Sequence, residues 1–346
     1  MENNINKPNS QLFTDIRFLI DESRQKLAQT VNSSLTILYW KIGKRINEEI
    51  LGHERAAYGK LVIKSLSRQL TDEYGKGFSN SALTRMYLFH QHFSTYQIVA
   101  TLSQQLSWSH FVEIIPLKNE LERDFYIQMC RIENWSVRTL RAKIQSMLFE
   151  RTAISQKPEE LAKLELEALR EEDLLSPDLV FRDPYLLDFL GLKNTYLEKD
   201  LEKAILLKLE EFLLELGRGF AFMERQKRMI IDHKDYNLDL LFYHRKMKRL
   251  VAIDLKIGQF EPGFKGQMEL YLRWLEKHEM EDGEEKPIGL ILCTEGNYEQ
   301  IELLQLDKSN IKVAKYITEF LPKELLKEKL HQFMIVSRKQ IENQGE

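Results

Sequence analysis

Asn237-Leu-Asp-Leu-Leu-Phe-Tyr-His-Arg-Lys-Met-Lys-Arg-Leu-Val-Ala-Ile-Asp-Leu-Lys256 is two apolar runs joined by a basic link. Leu238, Leu240, Leu241, Phe242 and Tyr243 form the first run, and Leu250, Val251, Ile253 and Leu255 the second. Both are too short for helices and rich in strand formers. His244 to Arg249 is polar but for Met247, so the stretch predicts a β-hairpin. Side chains alternate along a strand, which puts Asp254 and Lys256 on one face, and the antiparallel partner can bring Asp239 to the same end of the sheet. Two acids and a lysine that converge suit phosphodiester hydrolysis. The carboxylates of Asp239 and Asp254 can hold Mg²⁺ (or Mn²⁺), with the Leu255 carbonyl as a further ligand, while Lys256 orients a water and offsets charge on the phosphate. Hard oxygen ligands favour these ions over zinc. A D-x-K tripeptide is common, however, and taken alone it is as well read as a strand pair with solvated charges.

The flanking segments add context. Upstream, Leu197, Leu201, Ile205, Leu209, Phe212, Leu213 and Leu216 recur at helical period and end at Gly217 and Gly219, with Glu202 beside the apolar stripe. Downstream, Gly266 to Lys277 is a second amphipathic helix with Gln267 and Tyr271 on one face. A strand over Phe220 to Ile231 precedes the hairpin, and strands Ile288 to Cys293 and Ile311 to Tyr316 follow it, giving an αβββαβ order. Asp239 followed by Asp254-Leu-Lys256 at the end of a hairpin resembles the PD-(D/E)XK nuclease signature. That resemblance implies that Glu202, on the helix before the sheet, joins the metal site as a fourth catalytic residue. Gln267 and Tyr271 resemble the Gln-x-x-x-Tyr pair of the RecB-like branch, and with Gln226 they would line the phosphate path. Arg225 and Arg228, with the basic hairpin link, would contact backbone phosphates; a turn full of Lys and Arg is equally often just solvated.

Ahead of this region the chain reads differently. Ile16 to Ile46 follows a 3.6-residue period without a proline, Tyr58 to Leu70 makes a further helix, and Phe78 to His90 another, with Ser79 as its N-cap. Asn80, Ser81, Thr84 and Arg85 near the start of that helix fit a helix-turn-helix reader; an αα-hairpin packed on its neighbours fits as well. Arg138 and Arg141 lie on a later basic helix, Ser136 to Phe149. His110, in Leu106-Ser-Trp-Ser-His110, lacks a positioned acid or nucleophile and reads as structural. Gln156 to Asp173 is dominated by Glu, Lys, Ala and Leu and reads as an exposed helical connector. Turn signals at Ser176-Pro and Asp183-Pro184 end it. The expected organisation is an all-helical domain over 1–155, a connector over 156–175 and an α/β domain over 176–346, an α+β chain in all.

Composition excludes several classes. The 346 residues hold 50 Lys+Arg against 53 Asp+Glu, a net charge of −3. Residues 1–151 carry 20 against 15 and residues 152–346 carry 30 against 38, so +5 and −8. The first half is the better footprint for a polyanion. No apolar run approaches the roughly 20 residues that span a bilayer, and the polar start Met1 to Gln11 lacks a signal-peptide core, so a cytoplasmic protein without a membrane partner is expected. Cys130 and Cys293, far apart and in apolar surroundings, read as buried thiols.

Further motifs, in order, are Tyr58-Gly59, Gly77-Phe-Ser79, Leu106 to His110, Asp124-Phe-Tyr126, Trp135-Ser136, Leu140, Phe220-Ala-Phe222, Gln226, Asp239 to Tyr243, Asp254-Leu-Lys256 and Gly266-Gln267. Together they resemble the YhcG-like PD-(D/E)XK nucleases of bacteria over nearly the whole chain. Asn237-Leu238 stands where a proline precedes the first Asp in the superfamily signature; proline is a turn device there and not a ligand. The resemblance implies a helical N-terminal domain and a restriction-endonuclease-like C-terminal domain. It also implies metal-dependent cleavage of nucleic acid, DNA in the first instance, in a defence, mobile-element or repair setting. A homo-oligomer or a defence-system partner protein is an expectation apart from that resemblance, and the sequence itself fixes neither. The alternative is a non-catalytic nucleic-acid-binding or assembly protein built on a nuclease fold.

Overall fold

A computed structural model describes residues 10–51, 56–192, 196–295, 298–304, 306–319, 321–322, 324–328 and 330. The polar start lies, as far as Asn9, outside the described residues. Two compact units divide the chain, Met1–Arg141 and Ala142–Glu346.

The first unit is helical: α1 (Ser10–Leu51), α2 (Ala56–Tyr74), α3 (Asn80–His92), α4 (Tyr96–Leu102), α5 (Trp108–Ile114), α6 (Glu120–Glu133) and the start of α7 (Val137–Gln145). Ser79 caps α3 by accepting from the Ala82 amide at 3.4 Å. Asn119 accepts from the Leu121 amide at 2.9 Å to start α6, and Asn134, at φ 52°, ends it in the left-handed region that asparagine tolerates. Ile46, Ile63, Leu83 and Met86 form the core where α1, α2 and α3 meet. Gly43 permits that meeting, because a Cβ there would stand 1.9 Å from the Met86 carbonyl oxygen. His110 is structural as expected. Its Nδ1 accepts from the Ser107 amide at 3.2 Å, and its Nε2 lies 3.0 Å from the Trp135 carbonyl, to which it donates.

The second unit adds α8 (Leu148–Arg151), α9 (Glu159–Glu172), α10 (Pro177–Val180), β1 (Tyr185–Leu186), α11 (Glu198–Leu207), α12 (Leu209–Leu216), β2 (Phe220–Ile231), β3 (Lys234–His244) and β4 (Arg249–Leu255). These are followed by α13 (Pro262–His278), β5 (Ile288–Cys293), α14 (Tyr298–Leu303) and β6 (Ile311–Ile317). The strands form one mixed sheet in the order β1-β6-β5-β4-β3-β2. β2, β3 and β4 are antiparallel neighbours, while β4, β5, β6 and β1 run parallel. The predicted hairpin is therefore present, with Lys248 at φ 49° closing its basic turn. Leu241, Ala252, Ile291 and Cys293 pack with Met268, Tyr271 and Leu275 of α13. Gly289 lets α13 sit close on β5: a Cβ there would lie 2.5 Å from the Met268 side chain.

Three features depart from the sequence reading. The helix expected over 197–216 is broken at Lys208, whose backbone leaves helical geometry (φ −118°, ψ 35°), and the segment is α11 followed by α12. The connector is not an exposed helix, since Ala162, Leu166 and Leu169 of α9 are fully buried; glutamates and lysines on the outer face had masked an apolar stripe at spacing four and three. The compact units part at Arg141, which puts residues 142–175 in the unit that holds the sheet. Fully buried Arg151 accounts for this, because Nη1 donates to the Glu215 carboxylate at 2.5 Å and to the Pro184 carbonyl at 3.0 Å. Glu215 also takes Arg182 as an ion-pair partner at 3.1 Å and accepts from the Leu186 amide at 2.9 Å, which ties β1 to α12. Burial alone would raise the Glu215 pKa, but Arg151 and Arg182 together hold it below the usual carboxylate range.

Removing Glu215 would leave two buried guanidinium groups without their shared counter-charge. Glu215→Ala is expected to destabilise the second unit by about 3–5 kcal/mol, read as a fall in the urea midpoint; a midpoint unchanged from the parent would refute the role given to this carboxylate.

Candidate active site

Strand register assembles the site. Arg225 pairs with Leu240 and Lys227 with Leu238, which sets Gln226 opposite Asp239. Leu240 pairs with Ile253, which sets Asp239 opposite Asp254. Gln226, Asp239 and Asp254 thus make one polar row across three strands at the end of the hydrophobic sheet.

Each member is held. The Gln226 amide Nε2 donates to Asp239 Oδ1 and to Glu202 Oε2, both at 3.0 Å, from a backbone at φ 47° that departs from the strand geometry. Asp239 Oδ2 accepts from the Leu255 amide at 2.8 Å. Lys256 Nζ lies 2.9 Å from Asp254 Oδ2 and 5.2 Å from the centre of the Phe264 ring. The Lys256 amide in turn donates to the Leu292 carbonyl at 2.8 Å, which continues the β4–β5 ladder beyond the strand end.

Electrostatics in this row favour a cation. Asp254 is only 2% exposed, and burial pushes its pKa up to about 7; Lys256 opposes the rise, and the adjacent Asp239 carboxylate adds to it. Glu202 is raised by burial and then by Asp239. Burial alone would lower Lys256, but Asp254, Glu198 and Asp239 raise it, so the ammonium stays charged at neutral pH.

Of the expected site residues, Asp239, Asp254, Lys256, Glu202 and Gln226 come together. Gln226, exposed, spends its amide on two carboxylates and so positions the acids. Tyr271 is 1% exposed and its hydroxyl donates to the Asn237 carbonyl at 3.1 Å, while Gln267 donates to that hydroxyl at 2.6 Å. Tyr271 is therefore an anchor between α13 and β3 and cannot be a surface contact; its aromatic body was needed in the core. Arg228 is paired with Asp235 at 3.0 Å and Arg141 with Glu113 at 2.6 Å, whereas Arg225, Arg85 and Arg138 are exposed.

Glu198 was missed. One turn before Glu202 on α11, it accepts from the Ile257 amide at 3.2 Å and helps to keep Lys256 protonated. Its i, i+4 spacing from Glu202 was the available signal.

Among the described residues, no group of three or more His, Cys, Asp or Glu side chains is gathered so as to hold a metal ion. The Gln226 amide stands between Glu202 and Asp239, which leaves the Asp239–Asp254 pair. Such a pair fits Mg²⁺, which keeps several waters and takes one or two carboxylates.

The raised Asp254 pKa has a stability consequence. The folded state prefers the protonated acid, so stability from this group is complete below the unfolded value of 3.8 and is lost as pH rises through about 7. In chelator, Asp254→Asn should melt several degrees above the parent at pH 8, and the gap should narrow by pH 5. A gap independent of pH would contradict the buried, acid-flanked setting of Asp254.

Residues 15–151 match the family described as the DUF1016 N-terminal domain, and residues 178–331 match the YhcG PDDEXK nuclease domain. A protein of Escherichia coli (strain K12) called "Putative nuclease YhcG" is 37% identical over 315 residues, covering 82% of this chain and 83% of that one. Solved structures with weaker likeness include a repair endonuclease from Pyrococcus abyssi, at 21% identity, 36% of this chain, 49% of that chain and a TM-score of 0.26. An EndoMS–dsDNA complex aligns at 18% identity, 38% of this chain and 49% of that chain, with a TM-score of 0.28. The matches cover both halves of the chain in order, and the chain belongs to the YhcG family, a DUF1016 N-terminal domain joined to a PD-(D/E)XK nuclease domain.

Proposed function

We propose that this chain hydrolyses phosphodiester bonds of nucleic acid, DNA in the first instance, at the Asp239–Asp254–Lys256 end of its sheet. The observation that carries the reading is the convergence of two carboxylates, one anchored on the Leu255 amide and one buried, with a protonated lysine 2.9 Å from the buried one. PD-(D/E)XK nucleases generally use divalent ions. Asp239 and Asp254 would hold Mg²⁺ or Mn²⁺, the Leu255 carbonyl being a further candidate ligand and Glu202 acting through water. When bound, the ion supplies Lewis-acid charge against the phosphate and lowers the pKa of water.

The chain's own residues do the rest. Lys256, kept charged by Asp254 and Glu198, places its ammonium against the attacking water and the negative phosphate oxygens. Phe264 below it limits where the flexible side chain can point. Water oxygen bonds to phosphorus and releases a proton to solvent, the phosphorus–oxygen bond to the leaving sugar breaks and that oxygen takes up a proton from solvent, and Lys256 offsets the charge as it builds. Gln226 fixes the facing edges of Asp239 and Glu202, so the acids are oriented before substrate arrives. Exposed Arg225 beside this row, and Arg85 and Arg138 in the helical unit, are the proposed phosphate contacts, giving salt-sensitive affinity. A defence, mobile-element or repair setting is part of the proposal.

The test is cleavage of single-stranded, double-stranded and branched DNA and of RNA with Mg²⁺ or Mn²⁺. Asp254→Ala should abolish cutting with the fold retained, and EDTA should do the same to the parent chain. Lys256→Arg keeps the charge but not the compact ammonium, so the rate should fall on the order of 100-fold or more with nucleic-acid binding little changed. If Asp254→Ala cuts as fast as the parent, the site is misassigned. If the parent binds nucleic acid but cuts none of the substrates, the non-catalytic assembly reading takes its place.

A further inference from the structure

Helix α1 is exposed all round from Leu12 to Asn32, and its packing on the rest of the chain is concentrated in its second half. One face packs on its own unit: the Gln29 amide donates to the Gln104 carbonyl at 2.5 Å, the Ser33 and Ser103 hydroxyls meet at 2.8 Å, and Trp40 Nε1 donates to the Phe93 carbonyl at 2.5 Å. About 200° round the helix runs a second stripe, Leu12, Ile16, Ile20, Leu27, Val31 and Leu35, each between 39% and 66% exposed. Leu38 and Phe13 lie on the same stripe and Leu19 borders it, all exposed to a comparable degree, while Phe18, 66% exposed, stands on the other side of the helix.

Area and charge together say what covers this stripe. By their exposures these side chains leave roughly 700 Å² of apolar surface open per copy, close to the ~800 Å² that each partner brings to a standard interface. A solvated monomer rarely shows so continuous a patch. Residues 10–23 carry Asp15, Asp21 and Glu22 against Arg17, a net −2, and residues 24–38 carry Arg24 and Lys26, a net +2. Parallel pairing of two copies would set like charge against like, whereas antiparallel pairing sets acid against base.

We propose that the stripe is a homodimer interface, in which two copies of α1 pack antiparallel about a two-fold axis between Ser23 and Arg24. That register opposes Leu12 to Leu35 of the second copy, Ile16 to Val31 and Ile20 to Leu27. A two-fold axis keeps each flank of the helix facing itself, so Asp21 meets Arg24 of the second copy on one flank. Within one copy Arg17 pairs with Asp21 at 3.7 Å, and Glu22 with Lys26 at 2.7 Å, the Glu22 side being turned away from the stripe. Contacts of this kind do not depend on the nuclease reading.

The test is the mass of the full chain by sedimentation at micromolar concentration. The parent should have the mass of two copies. Ile20→Glu with Leu27→Glu should have the mass of one, with an unchanged circular dichroism spectrum, since both positions are exposed in the single copy. Independently of those variants, Ile20→Cys combined with Leu27→Cys should oxidise to a covalent dimer, while Ile20→Cys alone should not. The native Cys130 and Cys293 are buried and give no background. A single-copy mass for the parent, a dimer that survives the paired glutamates, or equal crosslinking by Ile20→Cys alone would overturn the proposal. The first outcome would leave another protein or a surface as the occupant of the stripe, and the last would mean parallel pairing.

Discussion

Everything polar at the end of the sheet depends on the register between β3 and β4. With Leu240 against Ile253, Asp239 stands opposite Asp254 and its carboxylate reaches the Leu255 amide. A slip of one residue would turn Asp239 to the other face and leave that amide without its partner. The cost of getting register wrong is large because β3 and β4 are central strands, with Leu240, Phe242, Val251 and Ile253 buried on them. The apolar core therefore holds the acids together against their mutual repulsion. Sheet packing supplies the free energy, and the site spends part of it.

The surrounding frame works in the same way. Glu215 gathers Arg151, Arg182 and the Leu186 amide, joining the segment before the sheet to its short edge strand and to α12. At the other side, Gly258, Thr294 and Glu295 tie the loop after β4 to the loop after β5. The Gly258 amide donates to Thr294 Oγ1 at 2.8 Å and the Glu295 amide to the Gly258 carbonyl at 3.1 Å. These bonds continue the parallel pairing past the strand ends, so Lys256 sits on fixed backbone although it lies outside β4. A lysine on a free loop would sample many rotamers; this one has its main chain bonded to Leu292 and its ammonium between Asp254 and Phe264.

Legibility in the sequence followed the range of the interaction. Alternation of apolar residues within ten positions was enough for the hairpin, and with the D-x-K spacing it located Asp239, Asp254 and Lys256, because short-range register decides all three. Glu202 could be placed by order and helical phase, but its link to Asp239 runs through Gln226, and that bond depends on β2 lying beside β3. Tyr271 was placed on the phosphate path through its likeness to a Gln-x-x-x-Tyr pair, whereas its ring is buried in the core; helical phase says which residues share a face and not which face is buried. The charged pattern of α9 concealed a narrow apolar stripe for the same reason. β1, two residues long and paired with β6 among the described residues, has no local signature at all.

Two proton affinities at the site shift the same way from opposing causes, and their combination gives its resting state. Burial and Asp239 raise Asp254 to about 7, while the carboxylates raise Lys256 in spite of its burial. Near neutral pH the lysine therefore holds its proton, and Asp254 is poised between its two forms. A protonated lysine has no lone pair to act as a base, so its contribution is charge and position. Asp254 can lose its proton at little cost as soon as positive charge comes near, because what keeps the proton there is burial and the neighbouring acid. A proton on Asp254 removes one negative charge from this acidic row, which limits the repulsion that the folded sheet must withstand while leaving the site one deprotonation away from two carboxylate donors for a cation.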